Sequence, residues 1–266
     1  MGCSANYYPC RSVAICILAA LLLTACVTPV RLAGSPYTHL MYHHPAQRPG
    51  EPLTLVYIEG DGKPWVAGGT QTASDPTPIH TLAFNLFKHT TQSAWYVTRP
   101  CYNRVNDPHC KPLVWTDARY SEAVVASMTA AINSFAATQP TQRIVLIGYS
   151  GGGALATLLV ARIPNLVGVI TIAANLDTQA WTNMHGYEAL TGSLNPADLP
   201  ALDVPHVALV GDQDMNVPFV TIAHYLQQQP HTIVQHYHTY DHVCCWEKNW
   251  PALLEAALAQ LQLSTH

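Results

Sequence analysis

The sequence is poor in charge: only 11% of its 266 residues are Asp, Glu, Lys or Arg, and its formal net charge is −4. No lysine or arginine cluster occurs along it, which argues against a phosphate-backbone partner, so nucleic acid is not expected. None of the 8 cysteines forms a C-x-x-C pair, and a metal centre built on them with His109 or His242 is not expected either. The apolar run from Val13 to Leu23 is too short to span a bilayer comfortably. Internal repeats and coiled-coil heptads are also missing. What the chain does have is 49% hydrophobic residues, enough for one domain of α/β size with a large buried core.

Arg11 supplies the only charge before that apolar run, which therefore reads as a secretory signal. The run ends in Leu23-Thr24-Ala25-Cys26, which resembles the lipobox of bacterial lipoproteins. The resemblance implies removal of residues 1–25, lipid attachment at Cys26, and a membrane-anchored chain with residues 26–52 as its tether. Lipoproteins retained at the inner membrane carry aspartate after the cysteine. Val27 stands there instead, which implies outer-membrane sorting, facing the periplasm. Setting aside Cys3, Cys10, Cys16 and Cys26 leaves Cys101, Cys110, Cys244 and Cys245 in an oxidising compartment. A Cys101–Cys110 disulfide is expected to stabilise the fold by about 2–3 kcal/mol through restriction of the unfolded chain. For Cys244 and Cys245 a vicinal bridge, pairing elsewhere and two small buried side chains all stay open.

From Leu53 onward, short apolar runs alternate with helical segments, the pattern of a mostly parallel sheet covered on both faces. Strands are predicted at Leu53 to Glu59, Ala94 to Thr98, Arg143 to Tyr149, Leu166 to Ala173, His206 to Gly211 and Thr232 to Tyr237. Helices are predicted at Ile79 to Thr91, Ala118 to Thr138, Gly152 to Ile163, Pro218 to Gln228 and Trp246 to Leu263. Right-handed crossovers then make the sheet doubly wound, with its ligand crevice beyond the carboxyl ends of the strands. The long connection from Asn175 to Pro205, carrying Trp181 and Tyr187, reads either as a small cap over that crevice or as a surface excursion.

Gly148-Tyr149-Ser150-Gly151-Gly152 falls at one of the predicted strand-to-helix turns. Such a turn pushes the serine hydroxyl out at the sheet edge and aims backbone N–H groups at a developing oxyanion. A serine needs a base, and the base an orienting acid. Downstream, Gly211-Asp212-Gln213-Asp214-Met215-Asn216-Val217-Pro218 offers two carboxylates, and His238 and His242 follow the last strand. Serine, acid, histidine is the order in which the α/β-hydrolase superfamily carries its catalytic groups, and the chain from Leu53 to Leu263 resembles that superfamily.

The resemblance implies the α/β-hydrolase fold and no cofactor. It implies Ser150 as nucleophile, Asp214 as acid with Asp212 in reserve, and His242 as base with His238 in reserve. The Gly151 amide would hold the oxyanion, together with that of Gly60 or Asp61 in the loop Glu59-Gly60-Asp61-Gly62. The superfamily often has His-Gly where this chain has Glu59-Gly60. Glu59 and Asp61 either select a cationic or polar substrate group or cap turns. The expected function is a serine hydrolase acting on carboxylic esters. A peptidase, amidase or acyltransferase on the same residues, and a non-catalytic ligand-binding lipoprotein, are the alternatives.

Overall fold

Buried parallel strands read as continuous apolar runs, and those runs form the centre of the molecule. The computed structural model describes residues 28–48, 50 and 52–263. Its strands are β1 (Val30–Ala33), β2 (Thr38–His44), β3 (Leu53–Ile58), β4 (Trp65–Val66), β5 (Gln71–Thr72), β6 (Ser93–Val97), β7 (Arg143–Tyr149), β8 (Leu166–Ile172), β9 (His206–Gly211) and β10 (Ile233–Tyr237). Eight of them form one sheet in the order β1-β2-β6-β3-β7-β8-β9-β10, and β4 and β5 pair as a separate small hairpin. From β6 to β10 every neighbouring pair is parallel, whereas β2 runs antiparallel to both β1 and β6.

The helices are α1 (Leu82–Lys88), α2 (Glu122–Ala136), α3 (Gly151–Leu158), α4 (Thr178–His185), α5 (Ala223–Gln228) and α6 (Trp246–Gln260). Side-chain alternation along the strands divides the core in two. Val56, Ile58 and Leu146 face α2 and α3, while Leu55, Tyr57, Val145 and Ile147 face α1 and α6. Apolar side chains thus point both ways from the central strands, and the sheet is doubly wound as expected.

The expected tether is where the structure departs furthest from the sequence reading. Residues 28–52 contribute β1 and β2, so the sheet begins at Val30 rather than Leu53. Histidines hid the strand pattern. In β2 the buried positions are His39 and Met41, two residues apart, and a histidine at a core position does not register as apolar. His39 is fully buried and stays satisfied there: Nδ1–H donates to the Thr98 carbonyl at 2.9 Å, and Nε2 accepts from the Ser127 hydroxyl of α2 at 2.9 Å. Burial holds its pKa below the usual histidine value. The predicted signal segment and Cys26 lie outside the described residues.

The connection from Asn175 to Pro205 contains α4, which was not expected. Only Thr178 and Thr182 of this helix are buried, so it has no apolar stripe to announce it. Its ends are nevertheless well specified. Asp177 caps the start through the amides of Gln179 and Ala180, and Gly186 ends it in the left-handed conformation. Cys101 and Cys110 stand with their Cα atoms 5.5 Å apart, within disulfide reach, and Cys244 lies beside its chain neighbour Cys245. No described helix is long and apolar enough to cross a membrane.

Candidate active site

Between β7 and α3 the chain reverses direction within one residue. Ser150 takes φ 52° and ψ −123°, a conformation costly for any residue but glycine, and it is held there by its surroundings. A Cβ at Gly148 would sit 2.3 Å from the Gly152 carbonyl oxygen, so only glycine lets helix and strand approach this closely. The serine side chain makes no capping bond to α3. Instead its hydroxyl donates to His242 Nε2 at 3.1 Å.

His242 stands in the loop between β10 and α6, and its Nδ1–H donates to Asp214 Oδ2 at 2.8 Å. Asp214 is 2% exposed, and its Oδ1 also accepts from the amides of Asn216 and Val217, both at 2.8 Å. Backbone donors therefore fix the carboxylate, the carboxylate fixes the ring, and the ring addresses the serine. The reserves stand elsewhere: Asp212 accepts from both His236 and His238 at the surface, and His238 is 87% exposed. Asp241 caps the turn after it, accepting from Val243 and Cys244. Asn216 was not foreseen in the site. Its Nδ2 lies 3.0 Å from His242 Nε2, so two donors share that lone pair.

In the loop after β3, Gly60 donates its amide to the Glu59 carboxylate at 3.1 Å and is not free to face an oxyanion. Of the two amides expected there, Gly60 is thus ruled out by its own neighbour. The amides of Asp61 and Gly151 have no partner among the described residues. Asp61 is held on every other side. Its carboxylate accepts from Arg99, from Arg119 Nη1 at 3.0 Å and from the Tyr120 hydroxyl at 2.6 Å, and its carbonyl accepts from the Tyr102 hydroxyl at 2.9 Å. Burial alone would raise its pKa, but the two guanidinium groups outweigh it and keep the carboxyl well below the usual range. This clamp was not visible in the sequence, because its members are scattered from Arg99 to Tyr120 in loops.

Glu59 caps rather than selects. Its oxygens accept from Ala83 and Phe84 in the first turn of α1, whose own cap residue Thr81 makes no side-chain bond. Burial pushes its pKa up to about 7, against the bonds from those amides. Between the ordinary value of 4.5 and about 7 the folded protein thus holds a proton that the unfolded chain releases. Stability must then fall as pH rises through that window, by roughly 3 kcal/mol at most. Glu59→Gln is expected to match wild type in thermal melts near pH 4 and to melt higher near pH 8. Parallel melting curves for the two proteins at every pH would show that Glu59 is not the group responsible.

These elements open onto a cavity of about 1060 Å³ lined by Ser150 and His242 and walled by Trp65, Trp181 and Tyr187. Helix α4 is therefore part of the cavity wall. It is tied to the acid loop, because Trp181 Nε1 and His185 Nε2 both donate to the Asn216 carbonyl, at 2.9 and 2.7 Å. Among the described residues there is no group of three His, Cys, Asp or Glu side chains suited to a metal ion.

No protein-family model and no curated protein sequence matches the chain. Solved structures do. An esterase from Pyrococcus furiosus superposes over 88% of this chain and 90% of its own, with TM-score 0.63 at 9% identity. A lidless α/β serine hydrolase from Xanthomonas campestris covers 88% of this chain and 93% of its own, with TM-score 0.56 at 12% identity. Acetyl xylan esterase 1 from Thermoanaerobacterium covers 86% and 80%, with TM-score 0.57 at 12% identity. At such identities the likeness is one of fold.

Proposed function

We propose that this chain, which has the α/β-hydrolase fold, is a serine hydrolase that cleaves carboxylic esters. The observation that carries the proposal is the unbroken hydrogen-bond chain from Ser150 through His242 to Asp214. His242 takes the Ser150 proton as Oγ bonds to the substrate carbonyl carbon, and Asp214 stabilises the imidazolium that forms. The oxyanion settles against the amides of Asp61 and Gly151. When the tetrahedral intermediate collapses, the C–O bond to the alcohol breaks and His242 returns its proton to the departing oxygen. Water then repeats the sequence on the acyl-enzyme, releasing the acid and restoring Ser150. Two structural neighbours that are esterases support esters over amides.

We further propose that the protein works at a membrane in an oxidising compartment, anchored through Cys26. The lipobox-like end of the apolar run and the approach of Cys101 and Cys110 to disulfide distance support this.

Intact mass after exposure of the detergent-solubilised full chain to a fluorophosphonate tests the central claim. One adduct per chain is expected, formed by attack of Ser150 on phosphorus with loss of fluoride, together with turnover of short aryl esters. A folded protein that takes up no adduct and cleaves no ester would leave a ligand-binding protein in its place.

A further inference from the structure

Asn175 lines the crevice, and its carboxamide has no hydrogen-bond partner among the described residues. After β8 the chain bends at Ala173, which has φ 47°, and the Asn175 amide donates to the carbonyl of Ser150 at 3.2 Å. That bond seats Asn175 directly beside the nucleophile. The residue is only 3% exposed, and both Oδ1 and Nδ2 are buried. A carboxamide carries two donor hydrogens and an acceptor oxygen, and buried groups of this kind are nearly always paired. Asn195 shows the ordinary case: it accepts from Thr178 and Ala197 and donates to Asp177. At position 175 leucine would keep the branching and the number of side-chain heavy atoms without burying an unpaired amide. The fold does not need an amide there.

Resting on the ester-hydrolase reading, we infer that Asn175 is a specificity-determining residue that bonds a neutral polar group on the acyl part of the substrate. The class is carboxylic esters with a hydroxyl or amide within a few atoms of the scissile carbonyl. The acyl side is assigned by position. The acyl carbon becomes bonded to Ser150 Oγ, and Asn175 is fixed to the same residue. The alcohol, by contrast, leaves toward His242 Nε2, where Asn216 stands. Neutrality follows from the lining. Among the described residues that line the cavity, Arg119 is the one arginine and there is no lysine; Arg119 is already paired with Asp61, whereas Asp117 and Glu188 are both in the lining. An anionic acyl group would find carboxylates and no free guanidinium or ammonium. A hydroxyl or amide can both give and take a hydrogen bond, as Asn175 can.

The test compares 4-nitrophenyl butyrate with the 3-hydroxybutyrate, and the pentanoate with the N-acetylglycinate, using full-length wild type, Asn175→Leu and Asn175→Ala. Rates are divided by those of alkaline hydrolysis to remove intrinsic reactivity. Wild type is expected to favour the polar member of each pair by about tenfold or more in kcat/KM, the worth of one well-placed hydrogen bond. Asn175→Leu is expected to abolish that preference while leaving the apolar esters within about threefold, and to raise Tm by a few degrees because an unpaired amide has gone. Equal losses on polar and apolar esters would overturn the inference, as would a wild type that cleaves esters without acyl discrimination. So would a preference that follows a polar group on the alcohol. Those results leave the ester-hydrolase reading standing. Its own failure is recognised separately, by the absence of both probe adduct and ester turnover.

Discussion

Ser150→Ala is expected to lower ester turnover by roughly 10⁴- to 10⁶-fold, leaving at most what binding and the oxyanion amides provide without a nucleophile. The fold should not notice. Alanine tolerates φ 52° no worse than serine, and among the described residues the hydroxyl bonds only His242. His242→Ala should fall nearly as far, and the double variant hardly further, because the two groups act in one proton transfer. Asp214→Asn should cost about 10⁴-fold, since an amide at that position favours the tautomer of His242 that cannot accept the serine proton. Steady-state kinetics on one short ester, with fluorophosphonate labelling in parallel, checks the series. Additive losses across Ser150 and His242, or full labelling of Ser150→Ala, would point to another nucleophile.

Asp61→Ala is expected to destabilise the protein by roughly 3–5 kcal/mol, because it leaves two buried guanidinium groups without their counter-ion. Arg99 and Arg119 side chains are 1% and 6% exposed and have little water to turn to. At a few degrees per kcal/mol for a chain of this size, Tm should drop by about 10 °C. Turnover should fall as well, since the carboxylate anchors the backbone that presents the Asp61 amide. The pH dependence has a definite sign. A carboxyl held below its ordinary pKa adds stability that is fully present above about pH 4 and is lost as acid protonates it. Wild type should therefore lose more stability than the variant between about pH 4 and pH 2. A variant with unchanged Tm and kcat would mean that the clamp neither holds the fold nor orients the loop.

How much of this was legible beforehand depends on the range of the interactions involved. Strands β7 and β9 were bounded to the residue, because a strand buried on both faces carries its signal in its own composition. Ser150, Asp214 and His242 could be picked out since each follows a strand and their order is distinctive. Which amide of the loop after β3 is left unpaired could not be picked out. Gly60 and Asp61 differ only in whether Glu59 turns back on its neighbour, and Glu59 turns because α1, 24 residues on, lacks a cap. The arginine clamp was invisible for the same reason, as Arg99 and Arg119 reach Asp61 across 38 and 58 residues of sequence. Strand β2 was missed through residue type. His39 counts as polar in any pattern, yet two bonds from elements far along the chain let it stand in the core.

The early start of the sheet also sets a leash length. A tether running from Cys26 to Pro52 would have let the domain roam about 90 Å from its anchor if fully extended. With β1 beginning at Val30, four residues past the proposed lipid site, the slack is about 14 Å at most. A body held that short cannot sweep the space around it. Anchored through Cys26, it would stay pressed to one surface by the β1 edge, and any ester it cleaves would have to reach that narrow layer, by diffusion or from the membrane itself.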